Sequence, residues 1–387
     1  MRKIAYISPT FFSNVDVPFI SAMKAFCDIY YFAIVPFDGK GYAINIKNLP
    51  SKGGIYSAND FEEMQFLKDS IDLNTTFVVY HKHRSSFSPA NIVVSIRLLF
   101  RLLRLHFDVY HFTEPLTFGE WSLYSLWRKS VLSVHDPFMH SSNTKRLIKL
   151  YRTIAFHTFR KFILFNKAQR EDFIQTYHLN AQQVYDSSLS SYTYLRLHQT
   201  PESPYGKYIL FIGTIRTHKG IEYLMEAMRS VHRKYPEYKL VVAGAGDFYF
   251  DISPYAKENY YVIINRFLDD EEQVPLIAHA QFIVCPYIDA TQSGVIMSAY
   301  AFDKPCIVTN VGGLPQMAGD GKYGIIVPPR DTQALADAMC DMIASPEKLH
   351  NFSQQIHQDY EEGDKSWRQV AKQLYENVYN HSKPCKL

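Results

Sequence analysis

The sequence is poor in cysteine and has no arrangement typical of a disulfide-stapled or zinc-bound protein. Its five cysteines, Cys27, Cys285, Cys306, Cys340 and Cys385, are scattered, without a CxxC pair or a histidine cluster at metal-binding spacing. Cys285 and Cys306 lie in strand-like apolar runs, where a buried, reduced thiol is the expected state. We therefore expect a reducing compartment, and neither a disulfide framework nor structural zinc.

Long apolar runs are also absent from the sequence. No uninterrupted apolar segment reaches the roughly 18–20 residues that a membrane-spanning helix needs. Arg2-Lys3 is followed by only a short apolar stretch before Ser8-Pro9, which is unlike a signal peptide. We expect a cytoplasmic protein, with peripheral attachment to the inner face of the membrane as a second option.

The small net charge of +3 hides an asymmetry between the two halves of the chain. Residues 1–200 carry 23 lysines and arginines against 15 aspartates and glutamates, and the remainder carries 18 against 23. Much of the positive excess falls in residues 97–170, with 13 basic against 4 acidic side chains. A charge split of this kind needs an explanation in the amino-terminal half.

The length of 387 residues favours two domains of ordinary size. Strand-like and helix-like segments alternate in both halves, which predicts mostly parallel sheets covered by helices. The polar segment 196–207, RLHQTPESPYGK, separates them. We predict an α/β fold of two doubly wound, Rossmann-like domains facing across a cleft, over residues 1–197 and 198–364, with a helix in 365–387 that packs back towards the first domain.

In the first half, the pattern predicts helices over Val17–Phe26, Ile92–Leu105, Glu120–Trp127 and Arg146–Thr158. It indicates little regular structure in residues 38–75. In the second half, it predicts strands over Tyr208–Ile212, Lys239–Ala243, Tyr261–Ile264, Phe282–Pro286, Cys306–Thr309 and Gly324–Val327.

The segment Pro286–Gln316 follows one of these strands and contains a polar turn before a helix. Thr291-Gln292-Ser293-Gly294 offers side chains that can cap a helix predicted over Val295–Phe302. The first N–H groups of a helix lack internal partners and favour an anion, so a phosphate is a natural ligand. An ordinary, well-capped βαβ unit explains the same pattern.

The segment Phe211–Gly220, FIGTIRTHKG, is a strand end, a glycine turn and two cations before a helix. Arg216 and Lys219 combine a planar fork with a point charge, which suits a diphosphate. Two solvated loop cations are the alternative interpretation. In a doubly wound domain, however, this turn and the Gln292–Gly294 turn lie at the same edge of the sheet.

The second half resembles the donor-binding domain of the family 4 glycosyltransferases, which are retaining enzymes of the GT-B fold. The resemblance covers FIGTIRTHKG, VVAGAGD, INRFLDDEE, KPCIVTNVGGLPQ, YGIIVPPRD and DTQALADAM, in order and over about 140 residues. In the first half, only VYHFTEP and SVHDP accompany the strand–helix pattern. The resemblance implies an acceptor-side first domain and a second domain that binds a nucleotide-sugar donor.

The resemblance also implies roles for individual residues. Arg216 and Lys219, next to Gly213, would hold the donor's diphosphate, and His135 would contact the donor sugar near its anomeric carbon. Acceptor-side or supporting roles are weaker predictions for His111, Glu114 and Asp136. The base would be flanked by Asn265, Arg266 and Phe267, and the phosphates and sugar would meet Gln292, Ser293, Gly294, Val295 and Ser298.

One feature departs from the family pattern. Many members carry two glutamates eight positions apart around this helix, whereas here the positions fall on Ala290 or Thr291 and on Ser298 or Ala299. We expect activity with altered sugar contacts, supplied by neutral hydroxyl and amide groups. Lost activity is the other outcome that this departure allows.

No cofactor is expected. Gly244-Ala245-Gly246-Asp247 begins like a dinucleotide fingerprint, but its third glycine position is Tyr249, so a redox cofactor is not predicted. No metal site is predicted either: the sequence has no metal-ligand cluster, and the resemblance implies that Arg216 and Lys219 stabilise a leaving UDP or GDP in place of a metal ion.

Residues 92–170 contain NIVVSIRLLFRLLRL (from Asn91) and KRLIKLYRTIAFHTFRKF, with cations among apolar residues at helical spacing. They predict either an anionic-membrane surface that delivers a lipid-linked acceptor, or helices packed on the sheet with a basic outer face. Nucleic-acid binding is not expected, since no recognition motif accompanies the charge.

The activity that the resemblance implies is retaining transfer of a sugar from a nucleotide diphosphate to a glycan or lipid-linked acceptor, in surface polysaccharide synthesis. Two alternatives remain open. The first is an epimerase or phosphorylase of the same architecture, although carboxylates are scarce in the predicted cleft. The second is a non-catalytic sugar-nucleotide-binding subunit of a synthesis complex, which the absent glutamates suggest.

Overall fold

The computed structural model describes residues 1–138 and 146–380, which form two compact units. Unit 1 contains Met1–Ser190 together with the chain from Trp367 onwards, and unit 2 contains Ser191–Ser366. The division lies a few residues before the predicted boundary at 197/198. Cys385, the end of the predicted carboxy-terminal segment (381–387) and residues 139–145 of the basic stretch lie outside the described residues.

Unit 1 is built on an eight-stranded sheet of order β3-β4-β2-β1-β5-β6-β7-β8. All neighbours are parallel except β3 and β4. The strands are β1 Lys3–Pro9, β2 Asp28–Val35, β3 Gly54–Ser57, β4 Thr76–Tyr80, β5 Val109–Phe112, β6 Ser130–Val134, β7 Phe162–Leu164 and β8 Val184–Asp186. Its first helices are α1 Ser13–Met23, α2 Pro89–Leu105, α3 Arg146–Thr158 and α4 Arg170–Tyr177.

Unit 2 is built on a six-stranded, wholly parallel sheet of order β11-β10-β9-β12-β13-β14. The strands are β9 Tyr208–Ile212, β10 Lys239–Ala243, β11 Tyr261–Ile264, β12 Ile283–Cys285, β13 Cys306–Thr309 and β14 Gly324–Val327. The helices are α5 Ile221–Lys234, α6 Ser253–Ala256, α7 Asp270–His279, α8 Gly294–Tyr300, α9 Leu314–Met317, α10 Thr332–Ala344 and α11 Pro346–His357. The predicted doubly wound α/β architecture is confirmed for each unit.

Several predictions for unit 1 need correction. The helix predicted over Val17–Phe26 begins at Ser13 and ends at Met23. The segment predicted as a helix over Glu120–Trp127 forms 3₁₀ turns over Phe118–Lys129, which begin with a reciprocal capping box between Thr117 and Glu120. The turn-rich segment 38–75 contains the antiparallel edge strand β3, whose four residues are too short to show a period.

The last described residues, from Trp367 to Asn380, belong to unit 1. Helix α12, Trp367–Leu374, and the π-helical turn Tyr375–Tyr379 occupy the segment predicted as one helix. The ring of Trp367 meets Phe19 of α1 edge-on, with centroids 6.2 Å apart. Tyr379 is fully buried, and its hydroxyl lies 2.5 Å from Nδ1 of His111 on β5. The carboxy-terminal segment therefore supplies a polar partner to the core of unit 1.

Replacing Tyr379 with phenylalanine should leave one nitrogen of the buried His111 ring without a partner. We expect Tyr379→Phe to lower the free energy of unfolding by about 1–2 kcal/mol in urea titrations. Tyr375→Phe is the matched control, because it makes the same change in the same turn on a half-exposed ring that stacks on Phe26. Equal unfolding midpoints for the two variants would contradict the assigned role of the Tyr379 hydroxyl.

Candidate functional site

The candidate site lies at the carboxyl edge of the sheet of unit 2. Because all six strands are parallel, the turns that follow them leave from one edge. The turns are 213–220 after β9, 244–247 after β10, 265–267 after β11, 286–293 after β12 and 310–313 after β13. The predicted motifs of unit 2 therefore meet at this edge.

The first two turns approach each other through backbone atoms. Gly213 N–H donates to Ala243 C=O at 2.9 Å, and Ile215 N–H donates to Ala245 C=O at 3.0 Å. Gly244 has a φ of +145°, and a Cβ atom there would lie 1.9 Å from the carbonyl oxygen of Gly213. Position 244 therefore requires glycine, because a side chain would clash with Gly213 and because other residues rarely adopt this φ angle.

The turn after β9 also lies against the turn after β12. Ile288 N–H donates to the carbonyl oxygen of His218 at 2.8 Å. A Cβ atom on Gly213 would lie 3.7 Å from Cγ2 of Val295, the second residue of α8. The structure therefore brings the Arg216–Lys219 turn and the Thr291–Gly294 turn together, as the topology predicts.

The two cations of this turn have different surroundings. Arg216 is exposed, whereas the side chain of Lys219 is half-buried, with Nζ 3.6 Å from the ring centroid of Tyr287. Burial lowers the pKa of Lys219, and the neighbouring Cys285 thiol acts in the opposite sense. Within the described residues, neither cation is paired with a carboxylate. The positive charges of Arg216 and Lys219 are therefore left without a counter-ion in the described part of the chain.

The polar turn before α8 differs in one detail from the prediction. Ser293 is the N-cap residue, but its side chain makes no capping bond; Oγ lies 3.2 Å from the hydroxyl of Tyr287. The helix runs over Gly294–Tyr300, seven residues, rather than Val295–Phe302. Ser298 Oγ donates to the carbonyl oxygen of Gly294 at 3.2 Å. Gln292 and Val295 are partly exposed at the same turn.

The three residues predicted to flank a nucleotide base follow β11. Asn265 Oδ1 accepts a bond from Gly246 N–H at 3.2 Å, so this side chain holds the turn after β10. Arg266 makes a two-point ion pair with Glu272, with the closer contact at 2.6 Å. Phe267 is 79% exposed. Of the three, Phe267 presents the open surface that suits stacking.

His135 lies in unit 1, directly after β6. Its ring is stacked between Phe12 and Phe165, with centroids 4.1 and 4.7 Å away. Burial lowers the pKa of His135 to about 4, so the imidazole is neutral at physiological pH. The aromatic stack fixes the plane of a neutral ring at the end of its strand.

The three residues predicted for the acceptor side, His111, Glu114 and Asp136, have different surroundings. His111 is 2% exposed, and its nitrogens contact Tyr379 and, at 2.8 Å, Ser133 Oγ, which favours a supporting role over direct contact with an acceptor. Glu114 is partly exposed, and its pKa is raised to about 8 by burial and by the nearby Glu120. The Asp136 carbonyl oxygen accepts a bond from Arg152.

Three residues at this edge were not predicted from the sequence. Tyr287 contacts Lys219, Tyr192 has its hydroxyl 3.2 Å from the Cβ position of Gly294, and Met317 Sδ lies 3.3 Å from Ser293 N. Tyr287 could have been found, because it follows the strand end at Pro286. The other two come from distant segments and leave no local pattern.

Within residues 1–138 and 146–380, no three histidine, cysteine, aspartate or glutamate side chains are grouped as a metal-ligand set. No helix of the described chain is long and apolar enough to cross a membrane.

Known proteins resemble this chain mainly in the part that carries the candidate site of unit 2. The family model described as "Glycosyl transferases group 1" matches residues 206–345. An uncharacterized glycosyltransferase of Methanocaldococcus jannaschii is 28% identical over 180 residues, covering 45% of this chain and 44% of the relative. The matched region thus spans less than half of that relative. The D-rhamnosyltransferase WbpZ of Pseudomonas aeruginosa is 24% identical over 302 residues, covering 73% of this chain and 77% of the relative.

Among solved structures, Alr3699/HepE of Anabaena in complex with UDP-glucose superimposes with a TM-score of 0.67 at 13% identity. The superposition covers 98% of this chain and 100% of that structure. At this identity, the likeness shows a shared fold.

The contact between the turns after β9 and β10 depends on the missing side chain at position 244. Gly244→Ala should lower the free energy of unfolding by about 2 kcal/mol or more, through a backbone clash added to an unfavourable φ. Gly206→Ala is the control, because its φ is +70° but nothing lies within 4 Å of its Cβ position. Urea unfolding should separate the two variants, and an equal loss in both would refute the close approach.

Proposed function

We propose that this chain is a glycosyltransferase of the GT-B fold, which moves a sugar from a nucleotide-diphosphate sugar to an acceptor with retention of the anomeric configuration. Surface polysaccharide synthesis is the proposed setting, with a glycan or a lipid-linked intermediate as the acceptor. The D-rhamnosyltransferase and an O-antigen chain mannosyltransferase C of Escherichia coli among the relatives support that setting.

One observation carries the proposal: Arg216 and Lys219, which have no carboxylate partner within residues 1–138 and 146–380, lie beside the polar turn that precedes α8. In sugar transfer, negative charge develops on the departing diphosphate. Fixed positive groups stabilise that charge more than they stabilise the intact donor, and this difference lowers the barrier. The unpaired state of Arg216 and Lys219 suits them to this task.

We propose that no metal ion is needed for this step. Arg216 supplies a planar, two-point donor and Lys219 a compact charge, which together replace the cation that a phosphate group otherwise recruits. The backbone N–H groups of Gly294 and Val295 add neutral donors. Because α8 has only seven residues, we assign most of the charge stabilisation to the two side chains.

The nucleotide is proposed to be UDP or GDP, with Phe267 as the stacking surface for the base. The Anabaena neighbour holds UDP-glucose, which supports UDP as the first donor to try. Asn265 and Arg266 are engaged with Gly246 and Glu272, so we assign them to shaping the base-binding turn.

The sugar contacts are proposed to be neutral. The positions where many family members have glutamates fall on Ala290 or Thr291 and on Ser298 or Ala299, none of which is acidic. The Ser298 hydroxyl bonds within its own helix. A carboxylate nucleophile is therefore not assigned, and we propose departure and attack on the same face of the sugar. His135, as a neutral ring stacked between two phenylalanines, remains the residue predicted to contact the donor sugar near its anomeric carbon.

We also propose that unit 1 binds an anionic membrane surface through α2. Val93, Ile96, Phe100 and Leu103 are exposed at helical spacing, and Phe100 is 66% exposed. Exposed arginines follow the same spacing along this helix: Arg97, Arg101 and Arg104. Apolar side chains that can enter the headgroup region, beside cations that attract anionic lipid, are typical of a helix lying on a bilayer.

Neighbouring exposed side chains extend this surface. Phe87, just before α2, is stacked on Phe118 at 4.8 Å, and Trp121 lies 6.5 Å from Phe118. In the described part of unit 2, by contrast, the large apolar side chains that are exposed are Leu197 and Phe267. The concentration of apolar exposure in unit 1 favours a membrane surface over a solvated basic face.

Removing either cation should weaken transfer without unfolding the protein. We expect Lys219→Ala and Arg216→Ala each to lower the transfer rate ~10²-fold or more. The donor is first identified by measuring the melting temperature of the protein with each of several UDP- and GDP-sugars. A donor present at 100 times its Kd should stabilise the folded state by about 2.7 kcal/mol. Release of UDP or GDP is then measured. Lys207→Ala, which removes another lysine held over a tyrosine ring, is the control. Near-normal turnover in Lys219→Ala would refute the diphosphate clamp.

The membrane surface is tested by co-sedimentation with phosphatidylcholine vesicles, with and without phosphatidylglycerol. Phe100→Glu should reduce the fraction bound to the anionic vesicles several-fold, because it places a negative charge in the apolar row of α2. Tyr42→Glu makes a similar change at a 56% exposed ring of unit 1 outside α2 and should have little effect. If the wild-type chain stays in the supernatant with both vesicles at low salt, the membrane proposal fails.

A further inference from the structure

The ammonium group of Lys219 rests on the face of a buried aromatic ring. Its Nζ lies 3.6 Å from the centroid of Tyr287, the shortest cation–ring distance among the described residues. Tyr287 has no exposed surface. Its hydroxyl lies 3.2 Å from Oγ of Ser293, and its carbonyl oxygen accepts a bond from Thr309 at 2.5 Å. The side chain is thus held through its hydroxyl at one end, and the backbone of the same residue is held through its carbonyl oxygen.

We propose that Tyr287 is a positioning residue of the transfer site: its ring face holds the Lys219 ammonium in place, and its hydroxyl ties that cation to Ser293 in the turn before α8. The inference rests on the proposed function of Lys219 as a diphosphate ligand. It adds a residue that acts through Lys219 and that need not touch the donor.

A ring face has an advantage over a carboxylate as the partner of this lysine. A carboxylate would neutralise the ammonium and occupy its N–H donors, and the diphosphate would then have to displace it. The negative face of an aromatic ring attracts the cation but leaves its charge uncancelled and its donors available. Lys219 has no carboxylate partner among the described residues, so the ring is the attraction that orients it there.

The contact with the Tyr287 ring also counteracts an effect of burial on the charge of Lys219. A half-buried ammonium loses hydration, which lowers the pKa of Lys219 and favours its neutral form. The neighbouring Cys285 opposes that shift. The ring attracts the charged form and should oppose the shift as well. Removing the ring should therefore lower the lysine pKa further, so that charge is lost at a lower pH.

The hydroxyl gives Tyr287 a second task. Tyr287 stands between Lys219, on the turn after β9, and Ser293, on the turn after β12. The Ser293 hydroxyl makes this contact instead of capping α8. One buried side chain thereby sets the spacing between the cation and the turn whose backbone N–H groups are proposed to meet the phosphates.

The experiment measures the Kd of UDP and of GDP by calorimetry, from pH 6.5 to about pH 10, for four chains. Tyr287→Leu removes the ring, Tyr287→Phe removes the hydroxyl, and the wild-type chain is the reference. Tyr238→Leu is the matched control, because Tyr238 is also a buried tyrosine of unit 2 with a lysine, Lys207, over its ring at 5.6 Å. Unfolding by urea accompanies each variant.

We expect Tyr287→Leu to raise the Kd about tenfold and to move the alkaline loss of binding to lower pH. Tyr287→Phe should keep the pH profile of the wild type, with a Kd within about threefold, because the ring face remains. Tyr238→Leu should bind as the wild type does, whatever its stability. A merely structural role of Tyr287 would change stability without moving the pH profile.

If Tyr287→Leu does not fold, pentafluorophenylalanine at position 287 replaces it. This ring has nearly the size of phenylalanine but a reversed charge distribution, so it should bind UDP or GDP more weakly than Tyr287→Phe does. Equal Kd values and equal pH profiles for the two rings would overturn the inference.

The outcomes separate the inference from the function on which it rests. If Lys219→Ala loses binding while Tyr287→Leu or the fluorinated ring keeps the wild-type Kd and pH profile, the ring has no positioning role and the clamp stands. If Lys219→Ala binds UDP or GDP normally, or the wild-type chain binds neither, the proposed role of Lys219 fails and the inference fails with it.

Discussion

The close approach of two turns at the carboxyl edge of one parallel sheet is the constraint on which the candidate site depends. The turn after β9 carries Arg216 and Lys219, and the turn after β12 ends at Gly294. They meet through the His218 carbonyl oxygen and Ile288 N–H, and through Gly213 against Val295. Were these turns to separate, the two cations would be ordinary solvated side chains. The fold therefore supplies the geometry, and the side chains supply the charge.

The sheet of unit 2 could be predicted almost to the residue. Strands such as β9 and β13 are buried on both faces, so their sequences are short continuous apolar runs between polar turns. Elements without such a signature were missed or misjudged. Strand β3 has four residues at a sheet edge, and the turns over Phe118–Lys129 have a helical apolar period but a 3₁₀ backbone. Periodicity reports which face is buried, and it does not fix the hydrogen-bond pattern.

The candidate site was predictable where its residues are carried by turns next to strands. Arg216, Lys219 and Gly294 all follow recognisable strand ends, and parallel topology then places them at one edge. The failure at Ser293 has a physical cause: its hydroxyl contacts a tyrosine instead of the backbone of α8. Capping is a local rule, and a tertiary partner outweighed it. Tyr192 and Met317 approach the same turn from elsewhere in the chain, so no local rule could place them.

The charged groups described in the two units have opposite surroundings. In unit 1, Asp16 is 1% exposed and accepts bonds from the hydroxyls of Tyr6 and Tyr31, and burial raises its pKa to about 7. Every polar atom of such a core needs a partner, because an unsatisfied group there costs free energy. At the edge of unit 2, Arg216 and Lys219 have no counter-ion among the described residues, and an aromatic ring holds Lys219. A core that satisfies its charges gains stability, whereas an edge that leaves them unpaired keeps them available for an anionic ligand.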